Sequence, residues 1–291
     1  MTTITAPSLD PRTTTTTASE TGAPRPARRS VLSTLTRRRF ALSAATPREI
    51  VVPLLTPILF ADVIAPALAK SIPATRDIDY QSFVAVGTIG LLVPLSCIIG
   101  GIGMIVDRES GSQRDLLAAP APRSLMVLAN LAVALCISLF QAAALIGASV
   151  LRGSTFSTSA AGWLWAMFAV IGLATLMHGC AEILAAKINK QEEYVGAAPP
   201  VALLPWFFAG SFFPISAMPA GLTAIAKILP VTHALALMRY GLVDHSGHGL
   251  HDIWGMTNTT AMATLSLVVV AVSAVTVLAL STRVFIRAAI D

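Results

Sequence analysis

Few side chains in this 291-residue chain could do chemistry, and their spacing limits what that chemistry could be. His178 and Glu182 stand four apart in an apolar run, so on a helix they share one face. Two ligands without a third donor make a poor metal site, and a buried pair or a contact near a helix end suits them better. Asp62 lies in another apolar run, where an acid is costly unless it meets a polar cavity or a partner. It is a candidate for a transport path, with a structural hydrogen bond or an interfacial placement near the outer end as the more ordinary readings. His245, His248 and His251, with Asp244 and Asp252, superficially resemble metal ligands, but Gly247 and Gly249 and the lack of helical ligand spacing point to an exposed outer loop. Cys97, Cys136 and Cys180 are an odd, scattered set within apolar runs, which supports neither a disulfide framework nor a zinc site and leaves them as packing residues. No G-x-x-x-x-G-K-[ST] string occurs; the nearest, Leu68-Ala69-Lys70-Ser71, lacks the glycines whose amides would cradle phosphate. The ionisable residues are scattered over different runs, so the chain is not expected to be an enzyme or to bind a cofactor of its own.

The elements that hold these residues are apolar. Hydrophobic residues make up 55% of the chain and charged ones 12%, about half the charged share of a soluble domain, which implies a polytopic membrane protein. Residues 1–30, rich in Thr, Pro, Ala and Arg, are expected to be a disordered cytoplasmic tail, and no signal-peptide pattern precedes Ile50. Residues 31–45 suit an interfacial helix, with Val31, Leu35 and Leu42 in one arc and Arg37, Arg38 and Arg39 near anionic headgroups. Spans are expected at 48–70, broken up by Pro53, Pro57 and Pro66, and at 82–106, 124–150, 160–186, 195–213 and 257–285, each long enough for a hydrocarbon core of ~30 Å. Trp163 and Trp165 suit the outer interface of the fourth span, and 187–194 reads as a short polar cytoplasmic loop. Pro214, Pro219 and Pro230 divide the stretch after the fifth span into apolar pieces at 217–229 and 231–243, too short to cross, which suit a pair dipping in from outside. The expected fold is all-α: one transmembrane domain over 31–291, with six transmembrane helices, an N-terminal interfacial helix and a re-entrant helix pair between the fifth and sixth spans. Placing both termini inside puts 15 of the 20 Arg and Lys there, in keeping with the positive-inside bias. The net charge of +5 therefore has a topological meaning and gives no reason to expect nucleic acid.

One polar stretch, 107–123 (DRESGSQRDLLAAPAPR), interrupts two spans and must sit at a membrane surface. It holds the charged pair Arg108-Glu109, then Gly111, a short amphipathic turn with Leu116 and Leu117, and a proline stop at Pro120 and Pro122. Such a short helix, joined to two spanning helices, suits the transfer of movement from a soluble partner into the membrane.

Two stretches resemble the permease subunit of a type 2 ATP-binding-cassette (ABC) transporter, in the branch that contains the daunorubicin-resistance exporters. The family signature R-E-x-G-[TS]-x-x-x-L-L-x-x-P-x-x-R is matched by Arg108, Glu109, Gly111, Ser112, Leu116, Leu117, Pro120 and Arg123. A second pattern, G-x-x-F-P-x-x-x-x-P…P-x-[ST]-H…R, is matched by Gly210, Phe213, Pro214, Pro219, Pro230, Thr232, His233 and Arg239. The chain departs from the family three positions after Gly111, where Arg114 replaces the usual acid and Asp115 follows it. The resemblance implies that 107–123 is the coupling helix, with Arg108, Glu109, Gly111, Leu116, Leu117, Pro120 and Arg123 facing or supporting an ATPase. It implies that 214–243 closes the outer end of the pathway, and that two permease copies, identical or related, work with two ABC ATPase subunits that carry the ATP and Mg. Expected function is therefore export of an amphiphilic drug, secondary metabolite or lipid-like substrate across a bacterial cytoplasmic membrane. Asp62, Phe212, Phe213, Pro214, Pro230, His233 and Arg239 are the candidate pathway or gate residues. The aromatics Phe60, Phe83, Trp206, Phe207, Phe208 and Phe212 suit an apolar lining or a lipid-facing surface, and Arg239 a closing salt bridge or a headgroup anchor. The alternative is an ion-coupled secondary transporter using Asp62, Glu182 and His178, although no inverted repeat is detectable.

Overall fold

In a computed structural model the described residues are 28–45, 51, 55, 80–118, 122–156 and 158–288. Residues 1–27 of the tail expected at 1–30, the first span apart from positions 51 and 55, Asp62 and Pro120 lie outside them, whereas residues 28–30 already belong to a helix. Every regular element among the described residues is helical.

Four helical stretches are long and apolar enough to cross a membrane: Tyr80–Glu109, Ser124–Leu151, Ala160–Lys187 and Thr259–Arg287. The first is broken near its end, giving α2 (Tyr80–Gly100) and α3 (Ile102–Glu109). It is the most enclosed of the four, which follows from its glycines and small side chains: other helices can close around it on all sides. After α4 (Ser112–Ala118) come α5 (Ser124–Leu151) and α6 (Ala160–Lys187). Ser159 caps α6 by accepting a hydrogen bond from the Gly162 amide at 3.1 Å.

The fifth expected span differs from its forecast. Helix α7 runs Gln191–Phe208, beginning inside the stretch read as a loop and ending before Phe213. Glu192 and Glu193 in its first turn stabilise a helix N-terminus there. Gly210, at φ +76, turns the chain back just beyond its end. The stretch expected to dip in and return forms two helices, α8 (Ala220–Ile228) and α9 (Pro230–Leu242), bent by 83° at Leu229–Pro230 and preceded by a 3-10 turn, Ile215–Ala217; by length and composition the bent pair suits one broken span as well as a re-entrant loop. Pro230 sits at the first position of α9, where its missing N–H costs nothing.

The histidine-rich stretch is not wholly a loop. It contains a seven-residue helix, α10 (His248–Trp254), because Asp244 accepts from the His248 amide at 2.8 Å and glycines in left-handed conformation flank both ends. Leu250 and Ile253 anchor it in the core. The last helix, α11, spans Thr259–Ala288.

The core is built where α6, α9 and α11 meet α2. Its closest approach is between Gly162 of α6 and Gly241 of α9, where a Cβ on either residue would overlap the other's carbonyl oxygen. Only two glycines let these backbones touch. A second cluster, around Ile105, Tyr194 and Phe285, ties the ends of α3, α7 and α11 together on the side of α4.

The first helix, α1 (Arg28–Ala45), packs on α5, and its arginines are not all left to the membrane surface. Phe40 and Leu42 are exposed, while Arg38 and Arg39 turn inwards. The reason is a set of fixed acceptors: Arg38 meets the Asp107 carboxylate at 3.2 Å, and Arg39 donates to the Gly100 carbonyl at 2.9 Å.

Candidate coupling helix and outer gate

The break between α2 and α3 fixes where the polar stretch begins. At Gly101 the ladder tightens, its amide donating to Ile98 at 3.0 Å. The buried hydroxyl of Tyr194 donates to the same Ile98 carbonyl at 2.6 Å and fills the space a side chain at residue 101 would need. Tyr194 therefore wedges the start of α7 into the break. Nothing in the sequence spacing singles it out, since its partner lies 96 residues away.

Beyond the break, α3 buries Met104 and Ile105 and sends Arg108 across to the end of α6. Arg108 donates to the Ala185 carbonyl at 2.7 Å and to Asn189 Oδ1 at 3.0 Å, with the Ile188 carbonyl further off at 3.4 Å. Ala185 lies in the last turn of α6, whose carbonyls have no partner within the helix, so a cation there satisfies them and opposes the helix dipole. Gly111, at φ +78, then reverses the chain into α4. On the far side Arg123 approaches the Ile286 carbonyl near the end of α11 at 3.4 Å.

The signature residues thus divide. Arg108, Gly111 and Arg123 shape and anchor the element, and Leu116 lines the cleft between it and α1. Glu109, Arg114 and Asp115 are exposed. Asp107, which the signature does not include, is the acceptor that joins α1 to this element through Arg38 and, at a longer 3.8 Å, Arg39. The cluster of arginines was a visible signal, but the face they occupy was not.

On α6, His178 and Glu182 are brought together, Nε2 to Oε1 at 3.2 Å and out of hydrogen-bond alignment, both buried. No cluster of three or more His, Cys, Asp or Glu with metal-binding geometry occurs among the described residues.

At the opposite end, the chain leaving α7 folds under α9. Trp206 donates to the Gly87 carbonyl of α2 at 2.7 Å, and Ser211 donates back to Trp206 at 2.6 Å. Phe212 packs edge-on against Trp206 at 4.8 Å, and its carbonyl accepts from Tyr80 at 3.3 Å. Arg239 is neither a headgroup anchor nor paired with an acid among the described residues. It is buried, donates to the Gly210 and Ser211 carbonyls at 2.9 and 2.8 Å, and lies 3.5 Å over the Phe83 ring. The turn exposes two carbonyls that need a donor, and a forked guanidinium meets both at once.

His233 faces elsewhere. The Lys227 carbonyl can only accept, so His233 Nε2 carries a proton and donates to it at 3.0 Å, while Nδ1 meets Ser266 Oγ at 3.1 Å. Ser266 also accepts from Trp254 at 2.9 Å. His233 therefore joins both halves of the bent α8–α9 pair to α10 and α11. Pro214 and Pro230 set the ends of the short turns, and Phe213 is left exposed. Ser216 donates to Asp252 at 2.9 Å, holding α10 against the 3-10 turn. Burial raises the Asp244 carboxyl, but hydrogen bonds from Ser246 and His248 outweigh it and leave it below the ordinary aspartate range.

No curated protein matches the chain. Its sequence does match the ABC-2 type transporter family over residues 30–243, a stretch that begins in α1 and closes just after α9 and so takes in both the anchored polar element and the bent α8–α9 pair. Membership of that family makes the chain a membrane permease subunit, itself not expected to be catalytic, and implies an ABC ATPase as its partner. The chain belongs to the ABC-2 type transporter family.

Proposed function

We propose that the chain is the permease half of a bacterial exporter of the daunorubicin-resistance type, moving an amphiphilic drug, secondary metabolite or lipid-like molecule out across the cytoplasmic membrane. Two permease copies, with two ATPase subunits that bind ATP and Mg, make up the transporter. Six spans place both termini on the cytoplasmic side. The observation that carries this reading is the triple anchorage of 102–123: to α1 through Asp107, to α6 through Arg108 and to α11 through Arg123. An element tied to three helices passes a displacement to all of them. Its exposed face, with Glu109, Arg114 and Asp115, is what remains for a partner to push.

ATP binding draws the two ATPases together, the coupling element moves with them, and the spans tilt to alternate access. At the outer end, the turn at Gly210–Phe213 and the α8–α9 pair form the gate, held shut by Arg239 and His233. The exposed face of α7 with Leu204, Phe207 and Phe213 suits an apolar path between the two copies.

The test is a Leu116→Ala/Leu117→Ala double variant, reconstituted with the ATPase subunit that co-purifies with the chain. We expect ATP hydrolysis to continue while transport of a fluorescent amphiphile falls at least tenfold, or about 1.4 kcal/mol of lost coupling. Full transport by this variant would remove the coupling role from 107–123.

A further inference from the structure

Helix α1 does not seal against α5. Two adjoining hollows lie between them, open on one side, with cavity volumes of about 50 and 40 Å³, and they share Arg39, Met104 and Asn130. Along α5 their lining runs from Met126 to Ser138, seven residues at helical spacing over a separation of twelve positions. At ~1.5 Å per residue the groove is about 18 Å long. That is comparable to one leaflet's share, about 15 Å, of the hydrocarbon core.

The two ends differ in chemistry. Next to α4 the groove is polar and cationic, with Arg38 and Arg39 against a single carboxylate, Asp107. Asp107 holds Arg38 at 3.2 Å but Arg39 only at 3.8 Å, so one positive charge is incompletely matched. The Gln113 side-chain oxygen at this end is buried without a hydrogen-bond donor. Further along α5 the walls are more apolar, through Met104, Val133, Ala134 and Ile137, with Ser96, Ser138 and His178 among them. On its other side α1 exposes Phe40 and Leu42, which places the helix in the membrane surface and puts the mouth of the groove beside lipid.

We propose that this groove holds one anionic phospholipid of the bilayer, its phosphate on Arg39, a glycerol hydroxyl donating to Gln113, and one acyl chain lying along α5. Asp107 keeps Arg38, so the lipid completes the charge balance and bridges α1 to α5. It is a resident part of the fold rather than cargo, and the proposal stands apart from the transport reading.

The full chain would be placed in nanodiscs with equal phosphatidylglycerol and phosphatidylcholine, each bearing a photoreactive acyl chain, and the cross-linked peptides mapped by mass spectrometry. On residues 126–138, phosphatidylglycerol adducts should exceed phosphatidylcholine adducts about tenfold, the factor expected from one charge-assisted hydrogen bond. Arg39→Gln should abolish that preference. Ala134→Phe, which fills the apolar end, should lower adducts of both lipids there. Adducts at the exposed surfaces near Phe140 and Val272 serve as a folding control and should not change in either variant. Equal labelling by the two lipids, or groove adducts unaffected by Ala134→Phe, would overturn the proposal. Complete protection by excess glycerol 3-phosphate would also overturn it, since the site would then recognise a soluble anion instead of a lipid.

Discussion

Arg108 and Glu109 are neighbours in the same signature, yet their surroundings predict opposite behaviour when each is replaced by glutamine. Arg108 makes two short charge-assisted contacts, 2.7 Å to Ala185 and 3.0 Å to Asn189. Such a bond contributes about 1.5–3 kcal/mol when well shielded, and a cation on a helix C-terminus adds about 0.3–1 kcal/mol. Arg108 is only partly buried, so solvent screening reduces these sums, and we expect Arg108→Gln to cost about 2 kcal/mol. At about 2–4 °C per kcal/mol, the apparent Tm of the purified chain should fall by about 4–8 °C. Glu109 is exposed, so Glu109→Gln should leave Tm within about 1 °C while still reducing coupled transport with the ATPase. Thermal unfolding in one detergent, with transport measured in proteoliposomes, separates the two. Equal loss of Tm in both variants, or none in Arg108→Gln, would refute the division of the signature into an anchor and a contact surface.

Gly162→Ala and Gly241→Ala should each destabilise the protein by about 1–3 kcal/mol, because the added methyl meets a backbone carbonyl that cannot swing aside. Thermal unfolding of each variant tests this, and an unchanged Tm would show that α6 and α9 are further apart than the structure places them. The loop between α9 and α10 should respond to acid through Asp244, whose carboxyl is held low in the folded state. A group with a lowered folded value stabilises the fold above its unfolded value, about 3.9 for aspartate, and that contribution fades as the pH drops through the lowered value. The Tm gap between the native chain and Asp244→Asn should therefore be constant from neutral pH down to about 4 and close in stronger acid; a gap that closed at neutral pH would exclude Asp244 as its source.

The amino-acid sequence by itself determined where the long apolar helices lie. A run such as 124–150 has no low-cost alternative to a helix in lipid, and Pro230 must end one helix and can begin another. It also marked 107–123 as a surface element, since charged residues between two apolar runs have nowhere else to go. Rotation of each helix about its own axis was not legible, and that rotation assigns the roles. Arg38 and Arg39 read as headgroup contacts on α1, but the Asp107 carboxylate and the Gly100 carbonyl draw both towards the protein. Arg239 offered a salt bridge or a headgroup contact on paper, but the carbonyls it binds appear only when the turn after α7 comes to rest 28 and 29 residues away. Tyr194 and Arg108 likewise find partners 77 or more residues distant. Apolarity is a property of a segment and can be read locally, whereas a hydrogen-bond acceptor is a direction in space that exists only after the helices have packed.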